Sequence, residues 1–221
     1  GGRRLRRPLV GSHPMTRIIG GSAGGRRLST PPGTATRPTA DRVREALFSS
    51  IEAATGSLDG LRFLDLYAGS GAVGLEALSR GAGVATLVES DRRTAGLIAT
   101  NARTLGFPRA EVLAAPVAAT LGRAPVAPYD VVFMDPPYPL SEEDLAADLA
   151  ALVSQGWLVP DALVVVERSR RSPEPAFPAG FVEVRSRKYG ETTLWSAHAP
   201  VDEPGETAAE PVAPAPGAGE Q

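Results

Sequence analysis

An acidic residue followed by a glycine-rich turn is the first arrangement in the chain that could bind a ligand. The segment from Phe63 to Gly74 reads FLDLYAGSGAVG, which predicts a strand, a turn and a helix. Gly69 and Gly71 allow a tight turn, and the free N–H groups of the helix that follows can face a ligand. The string also satisfies the G-x-G-x-x-G pattern, which leaves a nicotinamide cofactor open. Asp65 in the strand favours S-adenosylmethionine, whose ammonium group needs a nearby carboxylate.

A second acidic residue ends the next predicted strand. Glu89 lies roughly 20 residues after the turn, which is the spacing of the acid that accepts ribose hydroxyls in nucleotide-binding folds. The plainer interpretation is an acid beside Asp91 that interacts with a helix dipole. The turn before it favours ribose binding. We therefore expect these residues to bind the cofactor: Asp65, Tyr67, Ala68, Gly69, Ser70, Gly71, Glu89, Ser90 and Asp135.

The segment Asp135-Pro136-Pro137-Tyr138 follows a predicted buried strand, Tyr129–Met134. Its prolines lack N–H groups and form a rigid turn that is rich in acceptors. An exocyclic amine on a nucleic-acid base is a poor nucleophile, because its lone pair is delocalised into the ring. Asp135 and the Pro136 carbonyl can accept both amine hydrogens, and Tyr138 can stack on the base for about 1–3 kcal/mol. A turn that merely ends a strand is the plainer interpretation, and the upstream acids and glycines favour the catalytic one.

Alternating strands and helices must position these residues. Helices are predicted from Thr39, as the cap, to about Ala53, over Gly71–Arg80 and Asp91–Leu105, and from Ser141 to about Val153. Strands are predicted over Arg62–Leu66, Ala85–Glu89, Glu111–Leu113, Tyr129–Met134, Ala162–Glu167, Phe181–Lys188 and Thr192–Ser196. This alternation implies right-handed crossovers and an α/β, doubly wound sheet, and the last two strands form a closing hairpin. Ligands then bind at the carboxyl ends of the strands.

Charge is distributed unevenly, although 23 basic and 25 acidic residues nearly cancel. Residues 1–44 hold ten arginines and one acid, whereas residues 202–221 hold five acids and no base. The basic front end favours a polyanion partner. With no cysteine and two histidines, disulfides, a structural zinc site and a thiolate nucleophile are excluded. No apolar run reaches the ~18–20 residues of a membrane helix, and no secretory signal opens the chain, so we expect a cytoplasmic protein.

Four zones follow one another along the chain. Residues 1–14 are rich in glycine and arginine and are expected to be a disordered extension. Residues 15–38 predict a basic arm or weak hairpin, and residues 39–198 carry the regular pattern of the main domain. Residues 199–221 are rich in proline, alanine and glutamate and are expected to be a disordered acidic tail.

The arginines of the arm and of the first helix are candidate contacts for RNA phosphates. They are Arg17, Arg26, Arg27, Arg37, Arg42 and Arg44. For those in the helix, a solvated and salt-bridged face is the plainer interpretation.

In their order along the chain, these segments resemble the bacterial 16S ribosomal RNA guanine-N2 methyltransferase family. The resemblance covers about Thr16 to Trp195, and its blocks are Arg17–Gly21, Gly25–Leu28, Arg37–Phe48, Leu64–Gly71, Glu89, Asp135–Tyr138 and Lys188–Thr192. It implies a Rossmann-like class I methyltransferase fold with a seven-stranded sheet and a small N-terminal extension. It also implies S-adenosylmethionine as the cofactor, and Asp135, Pro136 and Tyr138 at the target base.

The resemblance further implies 16S ribosomal RNA as the partner, within the small ribosomal subunit or its assembly intermediate. We expect a monomer that needs neither a metal nor a membrane. The sequence departs from the family at Ala114-Ala115-Pro116, where such enzymes often carry a polar residue that reads the cofactor's adenine. The acidic tail also lies outside the family pattern.

Two other functions stay open at this point. A DNA adenine-amine methyltransferase uses the same Asp-Pro-Pro-Tyr chemistry, but such enzymes usually need a separate target-recognition domain, and none is visible. A non-catalytic RNA-binding assembly factor could keep the fold, although the intact Asp65, Glu89 and Asp135 argue against it. A cytosine carbon-5 methyltransferase is disfavoured, because it attacks the ring with a cysteine.

Overall fold

Five helices and seven strands alternate along the described part of the chain, which is residues 16–32 and 38–201 of a computed structural model. The helices are α1 (Pro38–Thr55), α2 (Ala72–Ser79), α3 (Arg92–Leu105), α4 (Val117–Leu121) and α5 (Glu142–Ser154). The strands are β1 (Arg62–Leu66), β2 (Val84–Glu89), β3 (Ala110–Ala114), β4 (Tyr129–Met134), β5 (Leu158–Ser169), β6 (Val182–Tyr189) and β7 (Thr192–His198). The predicted extension at residues 1–14, Arg37 and the acidic residues from 202 onward lie outside the described residues.

The seven strands form one sheet in the order β3-β2-β1-β4-β5-β7-β6. Strands β1 to β5 pair in parallel, β7 is antiparallel to β5, and β6 is antiparallel to β7. The strand order reverses at β1, because β2 and β3 lie on one side of it and β4 lies on the other. Connections that leave such a switch point diverge and open a crevice at the carboxyl ends of the strands. The predicted α/β class, with a mostly parallel sheet and a closing antiparallel hairpin, is confirmed.

Helices cover both faces of the sheet, so the central strands are buried on both sides. Along β1, Phe63 belongs to the core beneath α1, α2 and α3, whereas Leu64 belongs to the core beneath α4 and α5. Alternate side chains of a strand point to opposite faces, which explains this division. Phe48 of α1 stacks on Phe63 with ring centroids 6.0 Å apart, and this contact holds α1 on the sheet.

The bounds of several elements differ from the predicted ones. α1 begins at Pro38, so Thr39 lies inside the helix and is not its cap. Proline suits a first helical position, because the N–H that it lacks would have no partner there. β5 begins before the predicted start at Ala162, and α4 is absent from the predicted elements, since five residues are too few to display a helical period. Beyond β7, Ala199 is buried and donates to the Ala162 carbonyl at 2.8 Å, so the packed domain extends past the predicted end at residue 198.

The arm that precedes α1 is a short antiparallel turn. Arg17 and Arg27 form its β-bridge, and two of its apolar side chains, Ile18 and Leu28, are almost fully buried in the core. Glu76 of α2 fixes the arm, because its carboxylate accepts backbone hydrogen bonds from Ile19 at 2.8 Å and from Gly20 at 2.9 Å. The segment that was predicted as a weak hairpin is therefore an integral layer of the fold. Over the described ranges, no helix has the length and apolar composition needed to cross a membrane.

Candidate active site

Three acidic side chains meet in one cavity at the carboxyl edge of the parallel strands. Asp65 of β1, Asp135 after β4 and Glu167 of β5 line this cavity of about 260 Å³. The register places them there, because Leu66, Met134 and Val166 are neighbours across β1, β4 and β5. The cavity is the crevice that the switch in strand order predicts.

Six of the nine residues predicted to bind the cofactor line this cavity: Asp65, Tyr67, Ala68, Gly69, Ser70 and Asp135. Gly71, Glu89 and Ser90 are not among its described lining residues. Gly71 is nevertheless required, because its φ is 81° and a Cβ there would lie 2.9 Å from Ile98. The turn therefore holds its tight course only with glycine at that position.

Asp65 holds the glycine-rich turn against the strand that precedes it. Its buried carboxylate accepts a hydrogen bond from the Gly74 N–H, in the first turn of α2, at 2.9 Å. Burial raises the pKa of Asp65 well above its usual range, the bond from Gly74 opposes that rise, and the charges of Asp135 and Glu89 add to it. A cation in the cavity would relieve this repulsion.

Glu89 accepts two backbone hydrogen bonds in the structure. One carboxylate oxygen accepts from the Gly69 N–H at 3.0 Å, and the other accepts from the Asp91 N–H at 2.8 Å. Each carboxylate oxygen can accept two hydrogen bonds, so two acceptor positions remain for ribose hydroxyls. Glu89 thus links the turn after β1 to the start of α3, where Asp91 caps the helix by accepting from the Thr94 N–H.

Asp135 and Glu167 share a hydrogen bond, and sequence reasoning missed Glu167. Burial and the neighbouring Asp135 raise the pKa of Glu167 to about 9. Asp135 is exposed along the cavity, yet its carboxyl lies among protein groups, and this burial raises its pKa while Glu167 and Arg168 oppose the rise. At neutral pH Glu167 is therefore protonated, and its O–H donates a hydrogen bond to the Asp135 carboxylate. The signal was present in the sequence, since Glu167 ends the predicted strand Ala162–Glu167 just as Glu89 ends the predicted strand Ala85–Glu89.

Tyr67 is anchored by a buried acid of α5 that was also missed. Its hydroxyl donates a short hydrogen bond to Asp148, which is 4% exposed. Burial and this bond raise the pKa of Tyr67, so the hydroxyl stays protonated. Tyr67 adopts φ 59°, a left-handed conformation that is unfavourable for a side chain of its size. The bond to Asp148 compensates for that strain and holds the backbone where the turn begins.

The two other residues of the predicted catalytic turn lie differently. Pro136 is buried, whereas Tyr138 is 94% exposed and is not among the described lining residues of the cavity. The structure therefore does not bring Tyr138 to Asp135, and its ring face is free for stacking.

The predicted RNA contacts are scattered over the arm and α1. Arg17 lies 3.6 Å from Asp41, Arg26 donates to the Thr104 carbonyl at 3.0 Å, and Arg27 and Arg42 are exposed. Arg44 is an exception, and its predicted role as a phosphate contact is wrong. Its guanidinium is buried and donates hydrogen bonds to Asp41, Glu76 and the Arg17 carbonyl. These bonds tie α1 to α2 and to the arm.

The cavity fits a cationic cofactor. Three carboxyls line it, and their raised pKa values show that the charges around them do not compensate their burial. Arg44 also lines the cavity, but its charge is balanced by Glu76 and Asp41. S-adenosylmethionine carries a sulfonium and an ammonium group, which these acids can stabilise.

Comparisons with known proteins show the family of the chain. The family model described as conserved hypothetical protein 95 matches residues 16–198. Ribosomal RNA small subunit methyltransferase D of Escherichia coli strain K12 is 37% identical over 187 residues, which cover 85% of this chain and 91% of the relative. The corresponding protein of Haemophilus influenzae is 37% identical and covers 71% of this chain and 80% of its own.

Solved structures give the same result. The Escherichia coli protein yhhF is 34% identical and superimposes with a TM-score of 0.75, covering 85% of this chain and 99% of that one. The chain therefore belongs to the conserved hypothetical protein 95 family of methyltransferases, as the sequence predicted.

Proposed function

We propose that the protein transfers the methyl group of S-adenosylmethionine to the exocyclic N2 amine of a guanine in 16S ribosomal RNA. The observation that carries the proposal is the meeting of Asp135, from the Asp-Pro-Pro-Tyr turn, with the glycine-rich turn in one acidic cavity. The names of the relatives support ribosomal RNA of the small subunit as the substrate. The cofactor is held by Asp65, the Tyr67–Ser70 backbone and Glu89.

Asp135 and Glu167 activate the amine. S-adenosylmethionine, when bound, supplies an electrophilic methyl group on a sulfonium. Asp135 accepts one amine hydrogen and the Pro136 carbonyl accepts the other, which localises the nitrogen lone pair. The rigid turn would hold the nitrogen within reach of that methyl group. Methyl transfer, with S-adenosylhomocysteine as the leaving product, would place positive charge on the nitrogen, and Asp135 would stabilise that charge.

The nitrogen loses its proton late in the reaction. Asp135 is the nearest acceptor, and the proton then passes to water. Glu167 stays protonated throughout and orients Asp135 through the hydrogen bond that they share. Tyr138 receives the target base, which must leave its stack to enter the cavity. The exposure of its ring supports this role.

The remaining features of the proposal concern the partner. The substrate is the small ribosomal subunit or its assembly intermediate, and the enzyme acts as a cytoplasmic monomer without a metal. The arm arginines Arg17, Arg26, Arg27 and Arg37, and Arg42 of α1, contact RNA phosphates. A DNA adenine-amine methyltransferase is the second candidate, because the same turn can accept the hydrogens of an adenine amine.

Single-turnover methylation of purified small subunits that lack the modification tests this proposal. We expect N2-methylguanosine as the product after nuclease digestion, and N6-methyladenosine in DNA would favour the second candidate. Asp135→Asn should slow methyl transfer by at least about 100-fold, a much larger loss than the accompanying loss in cofactor affinity. Tyr138→Phe should be mild, because the ring still stacks, and Tyr138→Ala should be severe. A fast Asp135→Asn enzyme would refute the role of Asp135.

A further inference from the structure

The edge strand β6 is exposed along nearly its whole length and carries three cations. Seven of its eight residues are exposed, and the cations are Arg185, Arg187 and Lys188. Charged residues on an edge strand commonly prevent pairing with other chains. Edge protection explains why β6 is charged, but it does not explain why two of its arginines lie on one particular face of the sheet.

The register of the sheet places the arginines on the face of the active site. Arg187 pairs with Leu194, which pairs with Glu167 of the cavity, and Arg185 pairs through Ser196 with Val165. Residues in register across neighbouring strands share a face. Two strand spacings, about 10 Å, therefore separate the backbone at Arg187 from that at Glu167.

A groove lies between this row of arginines and α1. It has a volume of about 580 Å³ and is lined by Leu47, Ser50 and Ala54 of α1 and by Arg185 and Arg187 of β6. Leu47 lines both the groove and the cofactor cavity, so the groove lies beside the active site. From there it reaches the edge strand of the sheet.

Within the described residues, neither the guanidinium of Arg185 nor that of Arg187 has a hydrogen bond or an ion pair. Glu183 also lines the groove, but its carboxylate lies 3.9 Å from the His198 ring, at the far end from Arg187. The side chain of Arg26 in the arm, by contrast, has a hydrogen-bond partner. It donates to the Thr104 carbonyl in the last turn of α3, and that helix end lies at the opposite edge of the sheet from the cavity.

We propose that this groove binds the single-stranded RNA that flanks the target guanine, with Arg185 and Arg187 on its phosphates. The inference rests on the proposed function, since it assumes an RNA substrate whose target base enters the cavity. Arginine suits this position, because its planar guanidinium forms paired hydrogen bonds with phosphate oxygens. The apolar wall of α1 gives the adjoining base a surface to lie against.

Neutralisation of both arginines tests the proposal. Arg185→Gln/Arg187→Gln should raise the KM for purified small subunits about tenfold and lower the salt slope of binding to a single-stranded RNA oligonucleotide by about 1.4. The rate at saturating subunits and the affinity for S-adenosylmethionine should not change. The matched control is Arg109→Gln/Arg123→Gln, which removes two exposed arginines near the amino-terminal edge of the sheet and should behave as wild type.

Each alternative gives a different result. If KM and salt slope match those of the control, the groove does not bind RNA. If the double variant aggregates, two single variants test the proposal instead. RNA binding in the groove predicts that Arg187→Gln loses affinity for RNA and that Arg187→Lys, which keeps the charge, retains part of it. Edge protection alone predicts normal RNA binding in every soluble variant. If wild-type protein binds the oligonucleotide through these arginines but methylates no subunit, the proposed function fails and the groove stands.

Discussion

At the scale of single residues, the site is defined by acids whose charges are left partly uncompensated. Asp65, Asp135 and Glu167 have raised pKa values chiefly because burial penalises their ionised forms, and neighbouring acids add to the rise at Asp65 and Glu167. In the protein without its cofactor, such an arrangement lowers the free energy of unfolding. It becomes favourable when a cation enters, which is how the site can select a sulfonium ligand over a neutral one.

The affinity for S-adenosylmethionine should therefore depend on pH. Deprotonated acids attract the sulfonium, so binding should tighten as pH rises from about 6 toward the pKa of Glu167, about 9. S-adenosylhomocysteine lacks the sulfonium charge and should show a weaker trend. Glu167→Gln should flatten the difference between the two ligands. Calorimetric titration of both ligands across this range measures the effect, and parallel pH profiles would contradict it.

Glu89 should be essential for cofactor binding. Glu89→Ala removes the acceptor for the ribose hydroxyls and also the two backbone hydrogen bonds from Gly69 and Asp91. We expect cofactor affinity to fall at least about 100-fold, since hydrogen bonds to charged groups contribute about 1.5–3 kcal/mol each. Asp91→Ala is the control, because it removes only the cap of α3. Calorimetry that gives equal affinity for Glu89→Ala and wild type would rule out the assignment.

At the scale of elements, the sequence predicted those parts whose pattern is local. The bounds of β1 and β4 agree with the predicted strands, because apolar runs between turn residues mark both ends. The start of β5 could not be predicted, since its pairing with β4 defines it, and α4 could not because it is too short to display a helical period. Glu167 and Asp148 were missed for a similar reason. Each is an acid in an apolar stretch, and its importance depends on a partner that is distant in sequence.

Glu76 should hold the arm on the fold. Its buried carboxylate bonds to Ile19, Gly20, Arg44 and Arg80. Glu76→Ala leaves these donors without an acceptor, so the free energy of unfolding should fall by about 3–5 kcal/mol. The control is Glu52→Ala, which removes a half-exposed partner of Arg80 and should cost less than about 1 kcal/mol. Urea unfolding measures both, and equal losses would show that Glu76 is not the anchor.

At the scale of the whole molecule, charge differs between the two ends of the chain. The last 20 residues, 202–221, hold five acids and no base. Their deletion should leave the rate of methyl transfer unchanged and should raise the affinity for ribosomal RNA slightly, because they repel phosphates. Steady-state kinetics on small subunits tests this, with truncation after His198 as the contrast. That shorter chain loses the buried Ala199 and should be less stable.

The strand order of the closing hairpin has a consequence for folding during synthesis. β6 precedes β7 in the chain, yet β7 pairs with β5 and β6 pairs only with β7. The growing chain cannot add β6 to the sheet until β7 has been made, so β5 keeps an open edge until His198 has left the ribosome. An open apolar edge recruits other strands. The chain therefore completes its sheet only after β7 has been made, and chains that stop within β7 should aggregate rather than fold.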